Sequence, residues 1–277
     1  MARPRGWRIC GVDFTSAPRP GKSITVAAGG LRRSTLHLDA IDEYAHWHEF
    51  EAWLRLPGPW IAGFDFPFGL PREAVEDLRW PEDWPALVRH CAAMGRDKFR
   101  AALDRYRESR PAGSRYAHRT TDLPARSHSP LKLVNPPVGL MFLEGAVRLL
   151  EAGVSMPGLH AGDPARLAFE AYPGYCARQV TQASYKNDAR AKQTPARRQA
   201  RKAIVETLAD TGNAFGFALE AAPSLRRSLV DDATGDRLDA VLCAMQAAWA
   251  WRRRGRNYGL PKAVDPLEGW ILMAPER

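Results

Sequence analysis

The sequence predicts a three-layer α/β fold with a mixed central sheet and a large helical insertion. Three observations carry this. Apolar runs near the N-terminus are joined by tight turns, as in an antiparallel meander. A helical segment then separates the third run from a fourth, and that crossover makes the fourth strand parallel to the first. The stretch at about 70–165 holds Pro-bounded, Trp- and Arg-rich helical pieces with few strand signals. A chain of 277 residues can bury a full core, and it reads as one domain over 1–277 with this basic insertion.

The elements follow in order. Residues 7–15 read as the first strand. Residues 24–28 are the second, reached through a turn at Pro18, Pro20 and Gly21. Residues 34–41 are the third, with Leu36 and Leu38 alternating against His37 and Asp39. Residues 44–56 carry Trp47, Phe50, Trp53 and Leu54 at helical spacing and stop at Pro57-Gly58-Pro59. Residues 60–66 form the fourth strand. In the insertion, 85–110 and 141–152 read as helices. The polar loop between them holds Ser127, Ser129, Lys132 and Asn135-Pro136-Pro137, and loops of this length in compact domains are usually functional or disordered. Residues 166–172 are a fifth strand, 195–210 a basic helix, 236–254 an apolar helix and 269–273 an edge strand.

Composition sets the class. Apolar residues at 45% and charged residues at 26% are ordinary for a soluble globular protein. No apolar run approaches the roughly 18–20 residues of a membrane span, so no membrane partner is expected. Residues 1–8 are basic without an apolar core, which argues against a signal peptide and predicts a cytoplasmic protein. Cys10, Cys91, Cys176 and Cys243 are scattered, with neither zinc spacing nor a disulfide framework. The net charge of +9 is concentrated in two places. Residues 86–135 hold eleven Lys and Arg against four acids, and residues 173–202 hold eight against one. Localised basicity predicts nucleic acid as the partner; the plainer alternative is a set of solvated helix faces.

The chemistry concentrates in carboxylates. Asp13 ends the first strand, Asp65 ends the fourth, and Glu170 stands late in the fifth. Asp236 and Asp239 lie three apart on one face of the last helix. Acids are rarely buried without a partner or a cation, and an all-acid set suits Mg²⁺ or Mn²⁺. Asp13, Asp65, Glu170 and Asp239 are the expected catalytic acids. Asp13, Asp65, Asp239 and Asp236 are the expected metal ligands. Asp13 and Asp65 also have a plainer reading, as turn or cap residues, and Asp236 as a helix N-cap. Thr15, Ser16, Lys22, Arg126, Lys132, Lys186 and Lys192 are the candidates for holding phosphate, and each lysine or arginine alone is an ordinary surface charge. Tyr172, Tyr175 and Tyr185 interleave with the second basic stretch, placed either to stack on unpaired bases or to pack in the core. His118 and His128 fall in the insertion loop, and the histidines have no metal spacing. No GxSxG elbow and no Walker A sequence occur.

The order of elements is that of the ribonuclease H-like fold. The chain also resembles the predicted nucleases of domain of unknown function four-twenty-nine. The resemblance rests on Gly11-Val12-Asp13, Asp65-Phe66-Pro67-Phe68-Gly69-Leu70-Pro71, Glu170-Ala171-Tyr172-Pro173, Tyr185-Lys186 and Asp236-Arg237-Leu238-Asp239-Ala240. It implies that Asp13 sits at the sheet centre and bridges two metal ions, and that Asp239 is the acid of the last helix. The expected function is hydrolysis of phosphodiesters in DNA or RNA at a two-Mg²⁺ carboxylate site. The chain departs from ribonuclease H itself, whose glutamate comes from the first helix. Glu43, Glu49 and Glu51 would be the candidates there, and none stands in a distinctive motif. Two alternatives differ in class. One is a non-catalytic nucleic-acid- or partner-binding protein on the same fold. The other is an actin-like-fold phosphotransferase, which normally needs a duplicated domain and Gly-rich phosphate loops that this chain lacks.

Overall fold

The computed structural model describes residues 6–276. The first five residues of the basic N-terminal stretch, and Arg277, lie outside the described residues. Three strands open the chain: β1 (Arg8–Asp13), β2 (Ile24–Arg32) and β3 (Thr35–Tyr44). They pair antiparallel, as the tight turns require. Helix α1 (Trp47–Leu54) then crosses over to β4 (Trp60–Phe64), which pairs parallel to β1. Four helices follow: α2 (Arg72–Asp77), α3 (Trp84–Ser109), α4 (Asp122–Ala125) and α5 (Val138–Ala152). The chain returns to the sheet as the short β5 (Val154–Ser155) and then β6 (Asp163–Glu170), parallel to β4. It closes with α6 (Pro173–Arg178), α7 (Pro195–Leu208), β7 (Ala218–Ala221), α8 (Pro223–Asp231) and α9 (Asp236–Arg252). The seven strands form one mixed sheet in the order β5-β6-β4-β1-β2-β3-β7.

The expected three-layer α/β architecture is what the chain adopts. Alternation along each strand sends side chains to two separate cores. Cys10, Val12, Val26 and Phe64 pack against Phe50, Leu87, Phe99, Phe142 and Leu149 from α1, α3 and α5. On the other face, Ile9, Ala27, Ile61 and Phe169 meet Cys176, Ile204 and the length of α9. Twelve of the seventeen residues of α9 are buried, which is why its sequence is apolar all round instead of striped. Where Asp83 caps α3, its carboxylate accepts the Ala86 amide at 3.0 Å. Gly95 (φ +69°) breaks α3 into two helical pieces.

Some elements differ from the expectation. Residues 269–273 make only a single bridge, Ile271 to Glu170, at the last residue of β6. The chain there turns at Gly269, with φ +72°, which ends any regular pairing. The short elements α2, β5, α6 and β7 carry too few residues for a periodic signal.

Two glycines set how close α9 lies to the sheet. A Cβ on Gly11 would fall 2.0 Å from the Ala244 amide nitrogen and 2.1 Å from the Ala240 carbonyl oxygen. A Cβ on Gly63 would fall 2.5 Å from the Cys243 carbonyl oxygen. Helix backbone therefore rests on strand backbone at the sheet centre. Gly11→Ala should destabilise the protein by about 3 kcal/mol or more, read from urea unfolding. Gly30→Ala, where nothing lies within 4 Å of the new methyl, should stay within about 1 kcal/mol of wild type.

Candidate metal centre

Asp13 and Asp65 each stand two residues beyond one of those glycines. The period of two puts them on the same face, the face that α9 covers. The first turn of α9 crosses just there and supplies Asp239, whose amide donates to the Gly235 carbonyl at 2.8 Å. One oxygen from each of Asp13, Asp65 and Asp239 lies within 4.8 Å of the other two. Asp13 is 7% exposed, Asp239 is fully buried and Asp65 is partly buried.

The three acids differ in what they touch. Among the described residues, Asp13 and Asp65 accept no hydrogen bond and form no ion pair through their carboxylates; only charge at a distance and burial act on them. Asp239 is held on both oxygens. The buried Tyr185 hydroxyl donates to Oδ1 at 2.6 Å, and the Lys186 ammonium pairs with Oδ2. Gly235, at φ +81°, makes room for that lysine, since a Cβ there would sit 2.7 Å from the Lys186 Cβ. Asp236, at the rim, is paired with Lys22 at 3.3 Å, and Lys22 also reaches Asp188 at 3.4 Å.

Burial is the main cause that drives the Asp13 carboxyl well above its ordinary range, and the neighbouring Asp236 charge adds to it. Burial likewise raises Asp65 to about 7, with the Lys186 cation opposing it and the Asp239 charge reinforcing it. Carboxylate oxygens crowded together, two of the three groups without a hydrogen-bond donor, form the donor set that a hard divalent cation takes. The residues present thus fit such an ion.

Above the acids lies a cleft of about 560 Å³, lined by Thr15, Ser16, Lys22, Lys186 and Tyr172 among others. Of the sequence candidates for phosphate, these first four line it. Arg126 and Lys192 are exposed and outside the lining, and Lys132, also outside it, stands 3.3 Å from the lining residue His128 at Nε2. His118 is exposed and lies outside the lining.

Glu170 is placed apart from the three acids. It pairs in register with Phe64, one position short of Asp65, so its side chain leaves by the opposite face. There it meets Arg119, whose two terminal nitrogens reach its oxygens at 2.7 Å each. Arg119 also pairs with Asp122, and the Phe68 amide donates to Glu170 at 2.9 Å. This buried network fastens the insertion and the turn after β4 to the end of β6. Glu43 pairs with Arg237 and Glu51 with Arg148, while Glu49 accepts the His46 amide at the start of α1. None of the three joins the acids at the sheet centre.

Arg119, the positioning hydroxyl of Tyr185 and the pairing of Lys186 with Asp239 are not visible as motifs. Their one sequence trace is the adjacency of Tyr185 and Lys186 in a basic stretch. Much of the basic excess in the insertion is spent internally, as Arg96, Arg107, Arg110 and Arg119 all have carboxylate partners.

A family model described as "Protein of unknown function (DUF429)" matches residues 11–265, and the chain belongs to that family. No curated protein matches it, and no solved structure does.

The raised Asp65 pKa has a measurable consequence. The folded state holds this proton and the unfolded state releases it near 3.8. The stability it contributes is therefore full below that value and is lost as pH rises through about 7. In chelator, wild type should lose stability relative to Asp65→Asn between pH 4 and 7, in thermal melts of both proteins. A constant difference across that range would show that Asp65 ionises normally.

Proposed function

We propose that this protein is a divalent-metal-dependent nuclease that hydrolyses phosphodiesters of DNA or RNA, on a ribonuclease H-like fold. The observation that carries the proposal is the convergence of Asp13, Asp65 and Asp239 within 4.8 Å at the floor of a cleft. The sheet order β3-β2-β1-β4-β6, with acids at the ends of the two central strands, is in keeping with that fold.

In this reading Asp13, Asp65 and Asp239 hold Mg²⁺ or Mn²⁺, with Asp236 as the fourth acid of a two-ion site. Bound ions of this kind supply positive charge to the scissile phosphate and generate a nucleophilic water at neutral pH. The chain's own residues do the rest. Tyr185 fixes the orientation of Asp239. Lys22 and Lys186 bring cationic heads to the cleft and meet phosphate oxygens there. The Thr15 and Ser16 hydroxyls, in the turn after Asp13, add neutral hydrogen bonds. The surplus of +9 charges favours a polyanionic substrate. The proposal places the enzyme in the cytoplasm, in keeping with four free, buried cysteines. Among the described residues no helix is long and apolar enough to cross a membrane.

One observation favours a second reading. The Lys186 ammonium already balances Asp239, as it would in a nucleic-acid-binding protein that does no chemistry. Cleavage of labelled DNA and RNA structures in Mg²⁺ and Mn²⁺ separates the two. Asp13→Asn, Asp65→Asn and Asp239→Asn should each lower the cleavage rate by about two orders of magnitude or more, because ion stabilisation is worth several kcal/mol. Salt-sensitive binding without cleavage, unchanged in Asp13→Asn, would establish the binding protein instead.

A further inference from the structure

The cleft is built for something smaller than a double helix. Its volume of about 560 Å³ lies inside the roughly 300–1,000 Å³ of small-molecule sites. A duplex is a stiff rod with its phosphates outside. Such a rod reaches acids that stand on a surface. Here Asp13 is nearly buried and Asp239 fully so. A flexible single strand can bend a phosphate into the recess.

One wall residue has the properties of a base platform. Tyr172 follows β6, is partly buried and lines the cleft. Its amide donates to Gln246 Oε1 at 2.9 Å, and Gln246 Nε2 donates to the Leu272 carbonyl at 2.9 Å. Gln246 belongs to α9 and lies seven residues beyond Asp239, two turns along the same face. The platform and the acid are thus registered on one helix. The ring itself is braced. The Arg178 guanidinium stands 5.2 Å from its centroid and is anchored on the Ala125 carbonyl at 2.7 Å. A Cβ on Gly174 would come within 3.0 Å of the ring carbons, so the glycine leaves the ring its place. A fixed aromatic ring costs no further ordering when a base stacks on it.

We infer that the cleft takes an unpaired nucleotide of a single strand, its base on Tyr172 and its phosphate over the three acids. The phosphate's placement rests on the nuclease reading; the preference for unpaired nucleic acid rests on the cleft and the tyrosine. Stacking of this kind tolerates every base, because each has a π face, so little sequence preference is expected.

Fluorescence anisotropy on the full chain tests this, with a labelled single-stranded oligonucleotide and its blunt duplex as probes in Ca²⁺, and hydrolysis of the same probes followed in Mg²⁺. The single strand should bind at least about tenfold more tightly than the duplex. Tyr172→Ala should weaken single-strand binding about tenfold, and Tyr172→Phe, which keeps the ring, should restore it. Equal or tighter duplex binding, no binding of either probe, or an unchanged Tyr172→Ala would overturn the inference. Hydrolysis of both probes alike, lost in Asp13→Asn, would overturn it while leaving the nuclease standing. The binding preference without any hydrolysis would remove the nuclease reading and leave the single-strand site.

Discussion

Helix α9 lying directly on the centre of the sheet is the constraint on which the rest depends. Strand backbones at Gly11 and Gly63 touch helix backbone at Ala240, Cys243 and Ala244. No side chain separates the layers there. Because the layers meet so closely, an acid in the first turn of the helix falls beside acids two residues beyond each glycine. Had either glycine been alanine, the helix would stand off and the three carboxylates would part. The same contact explains the composition of α9, which is small and apolar where it meets the strands and acidic only in its first turn, beside the other acids.

Bringing three acids together is costly in the absence of compensation, since like charges repel and burial disfavours each ionised form. The protein offsets this unevenly. Asp239 receives a phenol and an ammonium, and Asp236 receives Lys22. Asp13 and Asp65 receive no hydrogen bond and no ion pair from the described residues, only the more distant Lys186 charge, and burial raises both carboxyls. Such a division leaves a defined place for one more positive charge. By contrast, the Arg119, Asp122 and Glu170 cluster satisfies itself and asks for no ligand. Its role is to join the insertion to the sheet edge, where it shapes one side of the cleft.

The meander, the parallel fourth strand and the apolar last helix were legible because each is long enough to show its period. The site was legible in part because Gly-x-Asp occurs at the end of two strands, and strand ends at the middle of an α/β sheet are where ligands bind. Glu170 illustrates the limit. A glutamate late in a buried strand has one of two faces, and the register that chooses between them is a pairing with β4 that no local pattern encodes. Lys186 is a second case. As a residue in a basic run it resembles a phosphate ligand, yet its nearest partner, Asp239, is distant in sequence and meets it only because Gly235 admits the segment. Arg119 was invisible for a related reason: Asp122 is a local partner, but Glu170 is distant in sequence and reaches it only through tertiary packing.

The proposed chemistry depends on whether the acids at the sheet centre hold a metal. Crystals grown in Mn²⁺, with anomalous diffraction collected at the manganese edge, test this most directly. The account predicts a strong peak coordinated by Asp13, Asp65 and Asp239, with the Lys186 ammonium moved off Asp239. No peak at the three carboxylates, with Lys186 still paired to Asp239, would contradict it.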